Sequence, residues 1–257
     1  MMQGYYHSIE RFGTVDGIGI RYVLFLSGCQ LRCRFCHNPD TWLKGNQTIT
    51  TEKVLADLLR YRHFYDASHG GITLSGGEPL LQPQFVAELL AACRSHGIHT
   101  TIDTAGYYDQ DNITAILPYT DAALFSIKAV DPQKHQWLAG FDNQQIIKNL
   151  HYMVQHIPVT LRYVVIPGVT NLPEDIESLT HLVHSLPKPV PVELLGYHTY
   201  GRQKWQALKM KYTLEDIPEA TPEDLIAVAT ILMKQNIVVL NHSKTTPILS
   251  ESTVPTP

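Results

Sequence analysis

The stretch CQLRCRFCHN, residues 29–38, places three cysteines within eight positions. It follows IRYVLFLSG, residues 20–28, a short apolar run that ends at a glycine and is typical of a buried strand. Cys29, Cys33 and Cys36 are therefore predicted to lie in the loop after that strand, with the spacing C-x3-C-x2-C. Three thiolates in one loop can hold three irons of a [4Fe-4S] cube, because iron-sulfur clusters take sulfur ligands. The fourth iron would then be open to a ligand that is not protein.

Other uses of this loop stay open on the residues alone. A structural zinc site commonly needs four protein ligands in two pairs, and a distant second CxxC motif is absent. His37 could be a fourth zinc ligand, but it is adjacent to Cys36. The letters CRFCH, residues 33–37, also match the C-x-x-C-H signature of c-type haem attachment, and a redox disulfide is a further alternative. Cys93 continues an apolar helical pattern and is predicted to lie in the core.

Length and composition narrow the function classes. The chain has 257 residues, 44% of them hydrophobic, which is enough for one large core. Its 20 Lys and Arg against 24 Asp and Glu give a formal net charge of -4, so a broad basic surface for nucleic acid is not expected. The amino-terminal residues lack the apolar core of a signal peptide, and the longest apolar run, near residues 22–26, is far too short for a membrane span. We expect a cytoplasmic protein without a membrane or nucleic-acid partner.

Strands and helices alternate along the chain. TTEKVLADLLRYRHFY, residues 50–65, has threonines at its start and leucines at helical spacing, so it predicts one helix. Further helices are predicted at residues 82–97, 144–155 and 175–185. The other predicted strands are GITLSG (71–76), HTTIDTAG (99–106), AALFSIK (122–128), VTLRYVVIPG (159–168) and VPVELLGYH (190–198). This alternation predicts an α/β fold with a mostly parallel sheet, whose strands carry chemistry at their carboxyl ends.

The chain is predicted to form one main domain. Internal repeats and a flexible linker are not evident in the sequence, so the domain is expected to cover residues 1–241. The last stretch, HSKTTPILSESTVPTP, residues 242–257, is rich in Ser, Thr and Pro and is predicted to be a disordered tail.

The cysteine loop together with SGGEP, residues 75–79, resembles the radical S-adenosylmethionine (SAM) superfamily. In that superfamily a CxxxCxφC loop binds the cube, and a GGE motif contacts the methionine amino group of SAM; here φ is Phe35. Four further stretches make the chain similar to the pyruvate formate-lyase activating enzyme family, namely GTVDGIGIR (13–21), CHNPDTW (36–42), RYVVIPG (162–168) and YHTYGRQKW (197–205). The resemblance implies a partial (β/α)6 barrel that is open on one side.

The resemblance also implies an activity. One [4Fe-4S] cluster is expected, because extra cysteines are absent between Cys36 and Cys93. Reductive cleavage of SAM would give a 5'-deoxyadenosyl radical that abstracts hydrogen from a glycine of a partner glycyl radical enzyme, such as pyruvate formate-lyase. Flavodoxin or ferredoxin is the electron donor that the resemblance implies. Two alternatives are a radical SAM enzyme that acts on a small molecule and a non-catalytic metal- or haem-binding protein.

The resemblance assigns roles to individual residues. The iron ligands, with a catalytic role, are Cys29, Cys33 and Cys36. Asp16, in TVDG, matches a segment that approaches the substrate peptide, although a turn-forming Asp-Gly would look the same. The cofactor-binding candidates are Phe35, Cys36, His37, Gly76, Gly77, Glu78, Ser126, Ile127, Lys128, Arg162 and His198. Packing alone could explain Phe35, a turn could explain the glycine pair, and a buried ion pair could explain Lys128 or Arg162.

Two positions depart from the family pattern. The family's monovalent cation site uses an Asp-Thr pair, matched by Asp103 and Thr104, together with an aspartate in a D-x-K motif. Ser126 stands where that aspartate would be, and a neutral hydroxyl binds a hard cation more weakly than a carboxylate does. Ile18 stands where the family commonly has proline, which loosens one backbone torsion. We therefore expect a weak cation site or none.

Overall fold

The structure is a computed structural model that describes residues 2–241 and 244–247. The predicted disordered tail falls outside the described residues, apart from the short segment Lys244–Pro247, which forms a strand. The strands are β1 (Gln3–Gly13), β2 (Arg21–Leu26), β3 (Thr48–Thr50), β4 (Gly71–Gly76), β5 (His99–Thr104), β6 (Ala122–Ile127), β7 (Val159–Val165), β8 (Val192–Gly196), β9 (Val239–Asn241) and β10 (Lys244–Pro247). The α-helices are α1 (Thr51–Leu59), α2 (Arg62–Ala67), α3 (Pro83–Ser95), α4 (Gln110–Ile116), α5 (Pro132–Ala139), α6 (Gln144–His156), α7 (Pro173–Ser185), α8 (Arg202–Ala207) and α9 (Pro222–Lys234).

The described strands form one sheet in the order β10-β9-β8-β7-β6-β5-β4-β2-β1-β3. The strands from β2 through β4 to β9 pair in parallel, whereas β1, β3 and β10 pair antiparallel at the two ends. The two ends do not pair with each other in the described residues, so the sheet is not closed. The predicted α/β class and partial barrel are confirmed. Parallel pairing brings the carboxyl ends of β2 and β4–β8 to one edge, where the cysteine loop also begins.

Buried apolar runs account for the strands that the sequence predicts. Residues 21–26 of β2 and 71–76 of β4 are buried almost throughout, because helices cover the sheet. The helix predicted over residues 50–65 is divided in two. Thr50 caps α1 through a hydrogen bond from the backbone nitrogen of Lys53, and a turn after residue 59 separates α1 from α2.

Apolar side chains pack in two clusters. The larger cluster lies between the sheet and its helices, and Cys93 of α3 is fully buried in it, as predicted. The smaller cluster lies against the cysteine loop and contains Phe35, Leu138, Ile166, Tyr197, Trp205, Tyr212 and Leu214. This second cluster supports the cysteine loop from one side. In the described part of the chain, the helices are all too short or too polar to cross a membrane.

Candidate functional site

The three cysteines of the loop line one cavity at the carboxyl edge of the sheet. Its volume is about 130 Å³. Several predicted site residues line the same cavity, which brings together positions that are up to 99 residues apart in the sequence, from Cys29 to Lys128. The other lining residues are Leu31, Thr41, Trp42, Ser75, Gly76, Gly77, Asp103, Thr104, Ala105 and Ser126.

Backbone hydrogen bonds hold the cysteine loop at both of its flanks. The backbone nitrogen of Cys29 donates to the Trp42 carbonyl at 3.1 Å. The backbone nitrogens of Arg32 and Arg34 donate to carbonyls at the end of α5, at 2.8 and 2.9 Å. The indole nitrogen of Trp205 donates to the Cys36 carbonyl at 2.8 Å. These bonds hold the loop in position, and a loop that is held in this way loses less conformational freedom when it binds a ligand.

The thiols of the loop lie in a desolvated setting. Burial raises the pKa of Cys36 to about 12 and also raises the pKa values of Cys29 and Cys33, although the nearby charge of Lys128 opposes the rise at Cys33. Burial would thus keep the free thiols protonated, and a soft metal would have to displace the protons on binding.

The ligand arrangement also bears on the kind of metal. Among the described residues, no group of three or more His, Cys, Asp or Glu side chains is arranged around a single metal ion. A cube takes each of its cysteines on a separate iron, so its ligands line a wider space than one ion requires. Three cysteines around a shared cavity therefore fit a cube better than a structural zinc ion.

The glycine pair permits a close approach of backbone to backbone. Gly76 has a φ of +103°, and a Cβ there would lie 2.5 Å from the backbone nitrogen of Leu26. A Cβ at Gly77 would lie 2.1 Å from the Gly28 carbonyl oxygen. Side chains at either position would push the end of β4 away from β2, so the pair shapes the cavity wall.

Glu78 lies behind that wall. Its side chain is 3% exposed and accepts hydrogen bonds from the Thr104 hydroxyl at 2.6 Å, from the Ala105 backbone nitrogen at 2.9 Å and from the Leu80 backbone nitrogen at 3.1 Å. Burial raises the pKa of Glu78 to about 7, although these three donors oppose the rise. The carboxylate ties the end of β4 to the end of β5 and does not line the cavity.

A buried ionic network lies on β5, β7 and β8. The Arg162 side chain donates to Glu193 at 2.6 Å and to the Val15 carbonyl oxygen at 2.6 Å, and it lies 3.5 Å from Asp103. Asp103 also accepts a hydrogen bond from Ser75 at 2.7 Å. Burial alone would lower the pKa of Arg162, but the two carboxylates raise it. The predicted cation on β7 is therefore part of an ion pair.

Glu193 was not predicted as a site residue. The sequence did contain a signal, since a glutamate inside the apolar strand VELLG needs a buried partner. Its partner Arg162 is 31 residues away, and nothing local in the sequence pairs the two.

The remaining candidates at the end of β6 divide between the cavity and the core. Ser126 and Lys128 line the cavity, and the Lys128 ammonium lies 6.0 Å from the centre of the Phe35 ring. The side chain of Ile127, by contrast, is buried in the larger apolar cluster. Phe35 is buried in the smaller cluster. Only the backbone of Ile127 is thus available on the cavity side.

Two predicted histidines meet beside the cysteine loop. The rings of His37 and His198 stack with centroids 3.9 Å apart, and Nε2 of His37 lies 3.2 Å from the His198 carbonyl oxygen. Nδ1 of His198 is buried without a hydrogen-bond partner in the described residues. Burial lowers the pKa of both rings. A buried nitrogen without a partner needs an explanation, and a hydrogen bond to a polar cofactor would supply one.

Asp16 lies in a segment that covers the interior of the sheet. Its carbonyl oxygen accepts a hydrogen bond from Thr73 at 2.7 Å. Burial lowers the pKa of Arg21 to about 10 although the negative charge of Asp16 opposes this, and the same charge helps to raise the pKa of Arg162. Other residues of the segment, from Thr14 to Ile20 without Asp16, line a second cavity of about 570 Å³ with side chains of β6–β9, including Glu193. The predicted substrate-facing aspartate thus lies near the same ionic network as the cofactor candidates.

Comparison with known proteins gives consistent results. The model of the radical SAM superfamily matches residues 23–183. Pyruvate formate-lyase-activating enzyme of Listeria monocytogenes is 41% identical over 239 residues, which cover 90% of this chain and 96% of the relative. The enzyme of the same name from Clostridium pasteurianum is 43% identical over 224 residues, covering 84% of this chain and 92% of the relative.

Solved structures agree on the fold. A domain of a pyruvate-formate lyase-activating enzyme from Bacteroides vulgatus aligns with a TM-score of 0.57 and 25% identity, over 67% of this chain and 98% of that one. A radical SAM methyltransferase from Sphaerobacter thermophilus aligns with a TM-score of 0.64 and 18% identity, over 86% of this chain and 66% of that one.

Proposed function

The chain belongs to the radical SAM superfamily, and from that premise we propose that it is a glycyl radical enzyme activating enzyme of the pyruvate formate-lyase type. The relatives that carry this name are 41% and 43% identical and match it over nearly their whole length. The observation that carries the proposal is the cavity that Cys29, Cys33 and Cys36 share with the glycine pair at the carboxyl edge of the sheet.

We propose that the three cysteines hold one [4Fe-4S] cluster and that the surrounding residues hold SAM. When bound, these two cofactors supply an electron and a carbon-centred 5'-deoxyadenosyl radical that removes a hydrogen atom from a glycine Cα. The cluster and SAM fit the residues present, because the three cysteines line a shared cavity. In addition, His198, whose ring stacks on that of His37 next to Cys36, has a buried nitrogen without a hydrogen-bond partner in the described residues.

The chain's own residues bind and orient in this proposal. Gly76 and Gly77 keep the cavity wall free of side chains, and Glu78 holds that wall in place from behind. Lys128 is proposed to meet the SAM carboxylate, because it lines the cavity and forms no salt bridge among the described residues. Phe35 and His37 are proposed to contact the bound cofactor where the cysteine loop meets the cavity.

Arg162 has a less direct role in the proposal. Its guanidinium already pairs with Glu193 and Asp103 and is held by the Val15 carbonyl. We propose that Arg162 holds Asp103 and the segment of residues 14–20 in place around bound SAM. A contact of Arg162 with the ribose or the carboxylate of SAM would form in addition to these bonds.

The monovalent cation site is proposed to be weak. Asp103 and Thr104 lie on the cavity with Ser126, but Asp103 already accepts a hydrogen bond from Ser75 and lies 3.5 Å from Arg162. A serine supplies no second negative charge. Cation binding is therefore proposed to add little to SAM affinity in this chain.

The proposed partners and setting complete the function. The protein substrate is a glycyl radical enzyme such as pyruvate formate-lyase, and Asp16 is proposed to contact the glycine-bearing segment. The electron donor is proposed to be flavodoxin or ferredoxin, and the enzyme is proposed to be cytoplasmic, with residues 1–241 as its single domain. The proposal includes neither a nucleic-acid partner nor a membrane partner.

One experiment tests the proposed function. The protein is reconstituted with iron and sulfide without oxygen, reduced, and mixed with SAM and a pyruvate formate-lyase. We expect 5'-deoxyadenosine by chromatography and a glycyl radical by electron paramagnetic resonance. An intact cluster that yields neither product would reject the proposal, and 5'-deoxyadenosine without a glycyl radical would favour a small-molecule substrate.

A further inference from the structure

An open groove on the outer surface lies directly against the cysteine cavity. The groove has a volume of about 450 Å³. Trp42 lines both the groove and the cavity, so one side chain separates the surface from the space of the cysteines. The indole nitrogen of Trp205, another groove residue, donates a hydrogen bond to the Cys36 carbonyl oxygen at 2.8 Å. The groove is therefore in contact with a proposed cluster ligand.

The groove is aromatic and basic. Trp42, Trp137 and Trp205 supply its aromatic surface, and Trp137 is 45% exposed. The Arg34 guanidinium lies 4.7 Å from the centre of the Trp137 ring, and the Arg32 guanidinium lies 5.0 Å from that of Trp42. Arg32 and Trp137 are exposed, and their partners Trp42 and Arg34 are half-buried. Arginines stacked on accessible aromatic rings are typical of surfaces that bind another protein.

The charge of the groove has one sign. The described residues that line it include two arginines and no aspartate or glutamate. Neither Arg32 nor Arg34 forms a salt bridge within the described residues. Lys209 and Lys211, both exposed, flank the lining residue Met210. Because the whole chain has a net charge of -4, this basic surface contrasts with the rest of the protein.

We infer that this groove, defined by Arg32, Arg34, Trp42, Trp137, Trp205 and Met210, is the docking surface for an acidic electron-donor protein with a low-potential one-electron cofactor. The inference rests on the proposed function and adds to it the place where the electron enters. In the step, the donor loses one electron and the cluster gains it, and no proton or bond is transferred. Docking here would place the donor against Trp42, which also lines the cavity of the cysteines, and a short distance favours electron transfer.

The two arginines have different uses as test positions. The Arg32 side chain donates to the carbonyl oxygens of Cys29, Gln30 and Leu31, so its replacement would disturb the cysteine loop itself. Arg34 donates to the Trp137 carbonyl on α5, and Lys211 lies outside the loop altogether. Arg34→Glu and Lys211→Glu are therefore the informative variants, and Lys53→Glu on α1 is the matched control.

The first measurement is binding. Oxidised flavodoxin is titrated into the cluster-loaded protein by calorimetry without oxygen, at low and at high ionic strength. We expect a Kd about threefold higher for each single reversal and about tenfold higher for the double variant, because opposed charges at an interface steer and hold the partner. High salt should weaken wild-type binding, and Lys53→Glu should bind like wild type.

The second measurement is the rate of cluster reduction. Reduced flavodoxin should reduce the variants more slowly, whereas a photoreduced deazaflavin, a small reductant without a docking surface, should reduce all proteins equally. Unchanged flavodoxin affinity in both reversal variants would overturn the inference. So would variants that bind flavodoxin normally and lose affinity for a glycyl radical enzyme instead. If Arg34→Glu lowers the iron content, Lys211→Glu decides the result.

Failure of the proposed function would look different. Wild-type protein reduced by deazaflavin would then yield no 5'-deoxyadenosine at all. If only the docking inference fails, 5'-deoxyadenosine is still formed, and flavodoxin binding and cluster reduction by flavodoxin do not depend on the charge of the groove.

Discussion

The carboxylate of Glu78 lies 2.6 Å from the hydroxyl of Thr104, which joins the residue after the glycine pair to the end of β5. Its other oxygen accepts from the Ala105 backbone nitrogen at 2.9 Å. Three donors surround a carboxylate that is almost completely buried. The acid of the GGE motif thus acts in this structure on the two strand ends that form the cavity wall, and it does so before any cofactor binds.

The first prediction concerns the pH dependence of stability. Burial raises the pKa of Glu78 from 4.5 to about 7. Between these values the folded protein binds more protons at Glu78 than the unfolded chain does, so the free energy of unfolding should fall as pH rises, by about 3 kcal/mol for this group. In Glu78→Gln this part of the decrease in the free energy of unfolding should be absent. Urea unfolding between about pH 5 and about pH 7 measures the slope.

The control for this slope is Glu52→Gln, which removes an exposed carboxylate from α1. Its stability curve should run parallel to that of wild type. If the curve of Glu78→Gln is also parallel to wild type, burial does not govern the protonation of Glu78.

The second prediction separates the four cysteines. Replacement of Cys29, Cys33 or Cys36 by alanine should remove most bound iron and all 5'-deoxyadenosine formation, because each is proposed to ligate a different iron. Cys93→Ala should keep the iron content and the activity, at a cost of about 1–2 kcal/mol for the small cavity that it leaves in the core. Iron analysis and visible spectra test both results. Loss of iron from Cys93→Ala would mean that the cluster depends on core packing, contrary to the assignment.

Much of this fold could be predicted from the sequence because buried parallel strands are continuous apolar runs. The strand β1 was missed since its residues are mostly half-buried or exposed and its letters, QGYYHSIERFG, are largely polar. The division between α1 and α2 was also missed, because the leucines at helical spacing end at Leu59 and the residues that follow, RYRHFY, contain no glycine or proline to reveal a turn. Periodicity identifies the faces that are buried, and it is insensitive to one irregular turn.

The site could be predicted only where a strand end or a motif marked it. The strand-end rule brings Cys29 and Gly76 together, as the cavity confirms. The contact between Trp205 and the Cys36 carbonyl joins residues 169 positions apart, and no local pattern indicates it. The same holds for Glu193, whose partner lies on a neighbouring strand. Pairing between distant side chains is set by strand order and register, which the sequence pattern alone leaves undetermined.

The third prediction concerns the pair of Arg162 and Glu193. Glu193→Gln should lower the free energy of unfolding by about 3 kcal/mol, because it leaves a buried guanidinium with less compensating charge. The double variant Arg162→Met with Glu193→Leu should recover most of that loss, since an apolar pair of similar volume has no charge to desolvate. Chemical unfolding of wild type, Arg162→Met, Glu193→Leu and their double variant gives the coupling energy directly.

The same double variant tests the positioning role of Arg162. Equilibrium dialysis should show SAM affinity reduced about tenfold although stability is recovered, because Asp103 and the Val15 carbonyl lose their shared partner. If the stable double variant binds SAM with wild-type affinity, the role of Arg162 is only structural.

The fourth prediction addresses the cation site. In wild type, SAM affinity should change less than about twofold when potassium is replaced by a bulky organic cation, because Ser126 supplies no carboxylate beside Asp103 and Thr104. Ser126→Asp should introduce a potassium or sodium dependence of about tenfold, since a second negative charge then faces the cavity. Ser126→Asn is the matched neutral control. A strong cation dependence in wild type would show that serine and backbone oxygens suffice.

The fifth prediction assigns Asp16 to the protein substrate. Its neighbours Val15 and Gly17 line the second cavity, and its negative charge opposes the lowering by burial of the pKa of Arg21 and of Arg162. Asp16→Asn keeps the shape of the side chain and removes the charge, so it should raise the KM for a glycyl radical enzyme about tenfold through a weakened charged hydrogen bond. Uncoupled formation of 5'-deoxyadenosine, measured without protein substrate, should stay at the wild-type rate.

Asp66→Asn, which removes an exposed carboxylate paired with Arg62 on α2, should change neither reaction. Equal loss of the coupled and uncoupled reactions in Asp16→Asn would place the residue in the support of the cofactor site, because a contact made only with the substrate cannot slow a reaction from which that substrate is absent.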